Sequence, residues 1–435
     1  NFCDSPSENF FLSRDVGCSD YAADSFLFYV CESIFNKIIQ YDGYPSYSHG
    51  YVVPSSTQLS NWDDYLSSLN ISNIAAGDTE LNSLYYTRIE RDFNGNTYHI
   101  FHESTSASDG DYTNGTGIFI LNPIPQIDNS FIHVNHPHWD SRSIFVGAKL
   151  FQEMGAKWLF IAGAHRYAAV DNSNYSSSSE CETQCDECSA DMARTTCSVF
   201  QKFHENMSNN PLSRSISIHG FNTDDDDKPF SIATILSNGV DPTYTSANKI
   251  LIPPTNFTYR LKEELLGLNI WNDSNLASIY DYHSVIAYEV VNTFSTILAA
   301  SDNPQGKWTN SFEGTGDWVH LEIDYCLRKP DSCFGISDND MYQDSIVTAL
   351  SSAFTEPYVI NIPADYSSIQ QGINAASEGD TVLVQPNTYY ENIFWPETNG
   401  IKLISAGDSS NTVIDGGGIS SVIYMNPQTA TIDTT

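Results

Sequence analysis

Ser130-Phe-Ile-His-Val-Asn135, running into His136-Pro-His-Trp-Asp140, is the stretch on which the fold of this 435-residue chain turns. It is an apolar, strand-like run that stops on a histidine, and a helically spaced segment, Ser141–Met154, follows it. The order then repeats. Lys157-Trp-Leu-Phe-Ile-Ala-Gly-Ala164 leads into His165-Arg166, Arg214-Ser-Ile-Ser-Ile218 into His219-Gly-Phe221, and a fourth run, Asp317-Trp-Val-His-Leu-Glu322-Ile-Asp324, carries a glutamate. Helical spacing is predicted again over Asp191–Asn206, Asn256–Leu268, Tyr282–Ala300 and Asp338–Phe354. Strand–helix alternation on this scale predicts an α/β fold, a mainly parallel or mixed sheet flanked by helices.

Outward from that core the texture changes twice. Residues 1–85 read as a helical, loop-rich region packed on the next domain, with apolar positions at helical spacing over Tyr21–Gln40. Strand patterns begin near 86, in Leu84–Ile89, Thr97–Phe101 and Gly117–Leu121, and the α/β domain is expected over 86–355. At Glu356-Pro357 helical spacing stops, and 356–435 holds short strands broken by Gly, Asn and Asp turns. The segment Tyr358–Asn392, with its Gly379-Asp-Thr-Val382 strand, Pro386-Asn-Thr-Tyr389 turn and Glu391-Asn-Ile393, resembles the opening of right-handed parallel β-helix domains such as those of pectin methylesterases. That resemblance implies the N-terminal cap and first coils of such a helix. A solenoid needs about three repeats to be stable, so the domain is expected to be truncated here.

Fifty-four acids against 19 bases give a net charge of −35. Such a charge argues against nucleic acid or an anionic membrane as partner and suits a solvated, exported protein. Nine cysteines fall into three groups, and disulfides in a secreted or cell-surface protein account for them better than a zinc knuckle at Cys181, Cys185, Cys188 and Cys197. No apolar run is long enough for a membrane span. The chain begins at Asn1 with neither Met nor leader, as expected of a processed protein or a fragment. The acidic run Asp224–Asp227 reads as a solvated loop.

The candidate chemistry lies where the strands end. His136-Pro-His-Trp-Asp140 has three readings: a zinc site using His136 and Asp140, a His-X-His-X-Asp hydrolase signature that adds His138, or a polar loop capping a strand. Ser141 stands where the second of these needs another histidine. Alternation puts Ile216 and Ile218 on one face of their strand, so His219 emerges beside the flexible Gly220, as a third ligand would. In the fourth run Trp318, His320, Glu322 and Asp324 share a face, and Glu322 is the expected general base unless that strand is an exposed edge. Arg166 offers a planar fork for a carboxylate, His165 a supporting donor, and Asp191 reads as a helix N-cap within reach of the site.

The ordered set His136, Asp140, Arg166, His219 and Glu322 resembles the zinc carboxypeptidase and N-formylglutamate amidohydrolase group. That resemblance implies zinc (Zn2+) held by His136, Asp140 and His219, substrate carboxylate on Arg166 and Glu322 acting on water. Asp140 stands four residues after His136, where those relatives carry an acid, usually Glu, at three. Gly163-Ala-His-Arg166, Ser237-Asn-Gly, Asn303-Pro-Gln-Gly306 and His320-Leu-Glu322 also resemble a module of uncharacterised bacterial proteins. The expected function is thus a secreted zinc-dependent hydrolase cleaving an amide, in a peptide, an acylated amino acid or a cell-wall crosslink. The alternatives are a non-catalytic surface or adhesion protein whose β-helix binds polysaccharide, and a carbohydrate esterase.

Overall fold

The computed structural model describes residues 18–38, 51–105, 112–166, 168, 190–209, 213–221, 232–237, 256–277, 280, 282–286, 303–311, 317–335, 340–355, 359–376, 379–396, 400–418 and 420–425. Cys3, the cluster Cys181–Cys188 and the run Asp224–Asp227 lie outside them.

Among the described residues nine strands form one mixed sheet: β1 (Tyr86–Phe93), β2 (Asn96–Glu103), β3 (Ile118–Leu121), β4 (Ile127–Val134), β5 (Ala156–Ile161), β6 (Arg214–Phe221), β7 (Ile232–Ser237), β8 (Tyr282–Ile286) and β9 (Asp317–Asp324), in the order β1-β2-β3-β5-β4-β6-β9-β7-β8. The run β5-β4-β6-β9 is parallel, β1 to β3 add antiparallel to one side, and β7 pairs antiparallel with β9 while β8 runs parallel to β7. β4 therefore sits between the two strands that follow it in the chain, β5 and β6. This is a topological switch point, where the carboxyl ends of neighbouring parallel strands open a crevice.

Side-chain alternation divides the core in two. Ile132, Val134, Ile216, Ile218, Val319, Leu321 and Ile323 meet the helices Ser143–Glu153 and Met341–Thr355 on one face. Phe119, Phe131, Trp158 and Phe160 meet Ser56–Ser68 and Val199–Met207 on the other. The first of these helices lies close on the sheet because residue 147 is glycine. A Cβ there would stand 2.6 Å from Val134 Cγ2.

Two expected helices differ. Tyr282–Ile286 is strand β8, and the rest of the predicted Tyr282–Ala300 helix lies outside the described residues. This short run reads equally as one helical turn or a strand, and the open edge of β7 decides it. The helix predicted from Asp191 begins at Val199, because Ser198 accepts a hydrogen bond from Gln201 N and caps it there.

The segment after 358 has a small core of its own around Ile362, Ile373 and Val382. Its strands β10 (Val359–Ile362), β11 (Thr381–Val384) and β14 (Lys402–Ser405) pair in parallel, as do β12 (Asn387–Tyr389) with β15 (Thr412–Ile414) and β13 (Ile393–Phe394) with β16 (Ile423–Tyr424). Disulfides join Cys18 to Cys31 and Cys326 to Cys333. Among the described residues no helix is long and apolar enough to cross a membrane.

Candidate metal centre

The tight turn after β4 carries His136 and Asp140 on consecutive arms, closed by the bond from Asp140 N to His136 O. β6 brings His219 alongside, and β9 brings Glu322 into register with His219. β9 lies between β6 and β7 and is buried along its length, so its polar face is interior and not an exposed edge.

His136 Nδ1, His219 Nδ1 and Asp140 Oδ2 form a triangle with all three sides 3.1 Å. Each residue is at most 4% exposed. Donors at about 2.0–2.2 Å from one tetrahedral ion stand about 3.3 Å apart, so the triangle matches a shared ion to within a few tenths of an ångström. These three residues are a group that could hold a metal, as are His219, His320 and Glu322.

The outer bonds set which atoms of the triangle carry protons. Asp191 Oδ1 lies 2.7 Å from His136 Nε2, and an ionised carboxylate only accepts, so Nε2 bears a hydrogen and Nδ1 is the nitrogen that presents a lone pair to the triangle once the ring is neutral. For His219 a chain of bonds does the same work. Gln305 Nε2 donates to the backbone oxygen of Met192, which turns Gln305 Oε1 toward Asn135 Nδ2 at 3.1 Å. Asn135 Oδ1 then accepts the Ser217 hydroxyl at 2.6 Å, leaving Ser217 Oγ to accept from His219 Nε2 at 2.9 Å. Nδ1 of His219 is thereby also a lone pair. Three lone pairs converging in a buried space repel unless a proton or a cation sits among them. Because Met192 adjoins Asp191, the bonds that orient the two histidines meet in one loop.

Charge follows the same layout. Burial alone would raise Asp140, but His136 and His219 outweigh it and hold the carboxylate below its usual range. Burial likewise opposes the ionised form of Asp191, and Arg166 with His136 overcomes it. His136 ends above its ordinary value, since Asp191 and Asp140 outweigh burial and Arg166. Burial, aided by His320, pushes His219 down to about 4.

No family model matches the chain, and no curated protein matches its sequence. Among solved structures it is similar to one described as "Putative carboxypeptidase A" from Shewanella denitrificans OS-217, at 10% identity and a TM-score of 0.28, over 63% of this chain and 66% of that one. The chain thus spans about two thirds of that neighbour's length. A likeness of this degree carries no argument, and the reading of the centre rests on its own geometry.

The remaining expected residues take varied places. His138 lies apart from the triangle, bonded to Phe35 O and stacked on the Phe35 ring at 4.2 Å. His165 packs edge-on against Trp139, and burial drives it down to about 3. Arg166 donates to Asp191 Oδ2 at 2.5 Å and lies over the Trp139 ring. Asp324 caps the turn after β9 and accepts from Tyr280. Asp191 is no cap of the helix that follows, because its carboxylate is spent on His136, Arg166 and Ala193 N. Sequence reading missed Arg194, whose Nε stands 3.7 Å from the same carboxylate, and Gln305, which is fully buried. It also missed Arg328, whose guanidinium lies where a Cβ on residue 220 would be and bonds Ser141 O, Phe221 O and Ile323 O. Nothing local marks Arg194 or Arg328, and the motif Asn303-Pro-Gln-Gly306 points to Gln305 without giving it a role.

Proposed function

We propose that this protein is a zinc-dependent hydrolase that cleaves an amide bond beside a substrate carboxylate. The observation that carries this reading is the convergence of three lone pairs, from His136 Nδ1, His219 Nδ1 and Asp140 Oδ2, at ligand spacing and with both tautomers fixed from behind. Two imidazoles and one carboxylate suit zinc, which when bound acidifies water and polarises a carbonyl.

The chain's own residues supply the rest. Glu322 is buried beside His219, and the His320 bond, with its charge, holds its carboxyl below the usual range despite burial. It is ionised at neutral pH and competent to take the proton of the attacking water and return it to the leaving amine. Arg166 and Arg194 share the single carboxylate of Asp191, which also serves His136. Both guanidinium groups offer planar donors beside His136, fitted to an anionic substrate end such as the carboxylate of a peptide or an N-acyl amino acid. Asp191 is thus given a double task, orienting a ligand and anchoring the anion-binding pair.

We also propose that 86–355 is the hydrolase domain, with 1–85 packed against it, and that 356–435 begins a right-handed parallel β-helix. The parallel pairing of β10 with β11 and β14, of β12 with β15 and of β13 with β16 supports the last point. Disulfides at Cys18–Cys31 and Cys326–Cys333 are compatible with secretion.

The test is hydrolysis by zinc-loaded protein of N-acyl amino acids and short peptides beside the same compounds with an amidated C-terminus. Cleavage of the free acids, reduced about 10²–10⁴-fold by Glu322→Gln, is expected. Equal cleavage of acid and amide removes the carboxylate reading. An unchanged rate in Glu322→Gln removes the base.

A further inference from the structure

Glu322 has one oxygen engaged and one free of any protein partner, and the group that makes this division is His320. His320 Nε2 lies 2.9 Å from Glu322 Oε1, whereas Glu322 Oε2 is buried with no hydrogen-bond partner among the described residues. A glutamate on a strand has three rotatable bonds and, in a dry site, would turn to whatever donor it could find. Here its donor is a buried imidazole packed between two other rings.

The His320 ring stands 4.3 Å from the His219 ring on one side and 6.0 Å from the Trp318 ring on another. Trp318 is in turn 1% exposed and pressed by the helix Pro304–Ser311, which comes so near that a Cβ on Gly306 would lie 2.8 Å from the indole. The parallel register sets His320 opposite Ser217 and Glu322 opposite His219, so both members of the pair follow the ligand strand residue for residue. His320 is itself 5% exposed, and its Nδ1 has no protein partner. Among the described residues its one hydrogen bond is thus spent on Glu322.

We infer that His320 is a positioning residue: it donates Nε2–H to Glu322 Oε1 and so holds Oε2 as the oxygen that meets the attacking water. The inference rests on the hydrolase reading above and adds to it a residue outside the triangle, whose Nε2 is committed to Glu322. It explains why β9 carries a histidine two residues before the base. A carboxylate held by one oxygen from a ring fixed in place loses the freedom to swing onto the triangle, where it would compete with Asp140 as a ligand.

The experiment compares wild type, His320→Ala, His320→Gln and Glu322→Gln, each loaded with zinc, for zinc content, kcat and KM on an N-acyl amino acid. A glutamine amide nitrogen can stand near the position of Nε2 and keep the donor. The expected result is a loss of about 10–100-fold in kcat for His320→Ala, the usual scale for partners that orient a site, with KM within about twofold and one zinc retained. His320→Gln should recover most of that loss. An unaltered kcat in His320→Ala, an equal loss in both variants, or loss of zinc in either overturns the inference. A second readout needs no activity: nitrogen-15 spectra of the histidine side chains in the metal-free protein should find His320 protonated at Nε2, with its signal moved by Glu322→Gln. Protonation at Nδ1 alone overturns the inference even in an active enzyme. Full activity in Glu322→Gln overturns the assignment of the base and this proposal together, and is told apart from the other failures by that variant.

Discussion

Arg328→Met tests whether the site is built as one piece. Arg328 is 2% exposed, and burial pulls its guanidinium below the usual range although Asp140 and Asp324 favour the charge. Its Nε donates to Ile323 O at 3.0 Å, Nη2 to Phe221 O at 3.2 Å and Nη1 to Ser141 O. Those three carbonyls belong to the strand of Glu322, the strand of His219 and the turn of Asp140. Methionine keeps the apolar stem and strips all three donors. Each buried acceptor left unpaired costs about 1–3 kcal/mol, or about 3–9 kcal/mol together. Against this, the variant no longer buries a charge, which recovers several kcal/mol. The net loss is about 2–4 kcal/mol. At about 2–4 °C per kcal/mol for a domain of this order, Tm falls by about 4–16 °C. Melting should be followed without metal, since bound zinc adds stability of its own, and the zinc Kd measured separately. The variant is expected to bind zinc about 10–100-fold more weakly because the segments carrying Asp140 and His219 lose their common tie to each other and to the strand of Glu322. A Tm within about 2 °C of wild type together with an unchanged Kd refutes the reasoning.

Three further outcomes are expected. Asp191→Asn removes the charge that orients His136 and should weaken zinc binding about 10–100-fold by competition titration, and an unchanged Kd would show that the bond at 2.7 Å does not set the tautomer. Gln305→Leu breaks the chain of bonds to His219 at its Asn135 link, which spans 170 residues, and should weaken zinc binding by at least about tenfold while an exposed control such as Gln371→Leu does nothing. Glu103 is raised to about 7 by burial, against the lowering pull of the backbone N–H groups of Thr116 and Asn114. Its folded pKa exceeds the unfolded value of about 4.3, so the folded state holds the extra proton between these values and stability falls as pH rises from about 4 to 7. Glu103→Gln should therefore gain in Tm relative to wild type as pH goes from 5 to 8, and a difference independent of pH contradicts this.

What could be read from the chain depended on whether the signal was local. The mixed α/β sheet was legible because apolar runs such as Ser215–Ile218 alternate with period 2 and are followed by helically spaced segments. That same alternation separates Ser217 and His219 from Ile216 and Ile218, and the structure sets these on opposite faces of β6. The short apolar run at Tyr282–Ile286 had no such internal evidence, and only its pairing with β7 makes it a strand. Asp191 looked like a cap because caps are short-range, whereas its actual partner, His136, lies 55 residues away. Gln305 and Arg328 do their work across 170 and 187 residues, over contacts that no window of sequence contains. His138 and His165 stand near the same motif, and their ring contacts are with Phe35 and Trp139, which lie outside any period the sequence displays. The triangle, in contrast, draws on two strand ends and one tight turn, all of which leave marks in the sequence.

The central claim is that His136, Asp140 and His219 together hold one zinc ion. Metal analysis of the purified protein after incubation with zinc and exhaustive dialysis addresses it directly, with His219→Ala and Asp140→Ala treated in parallel. One equivalent of zinc in the wild type, lost in both variants while their circular dichroism stays native, is the predicted result. A folded wild-type protein that retains no zinc, or a His219→Ala variant that retains the full equivalent, contradicts it.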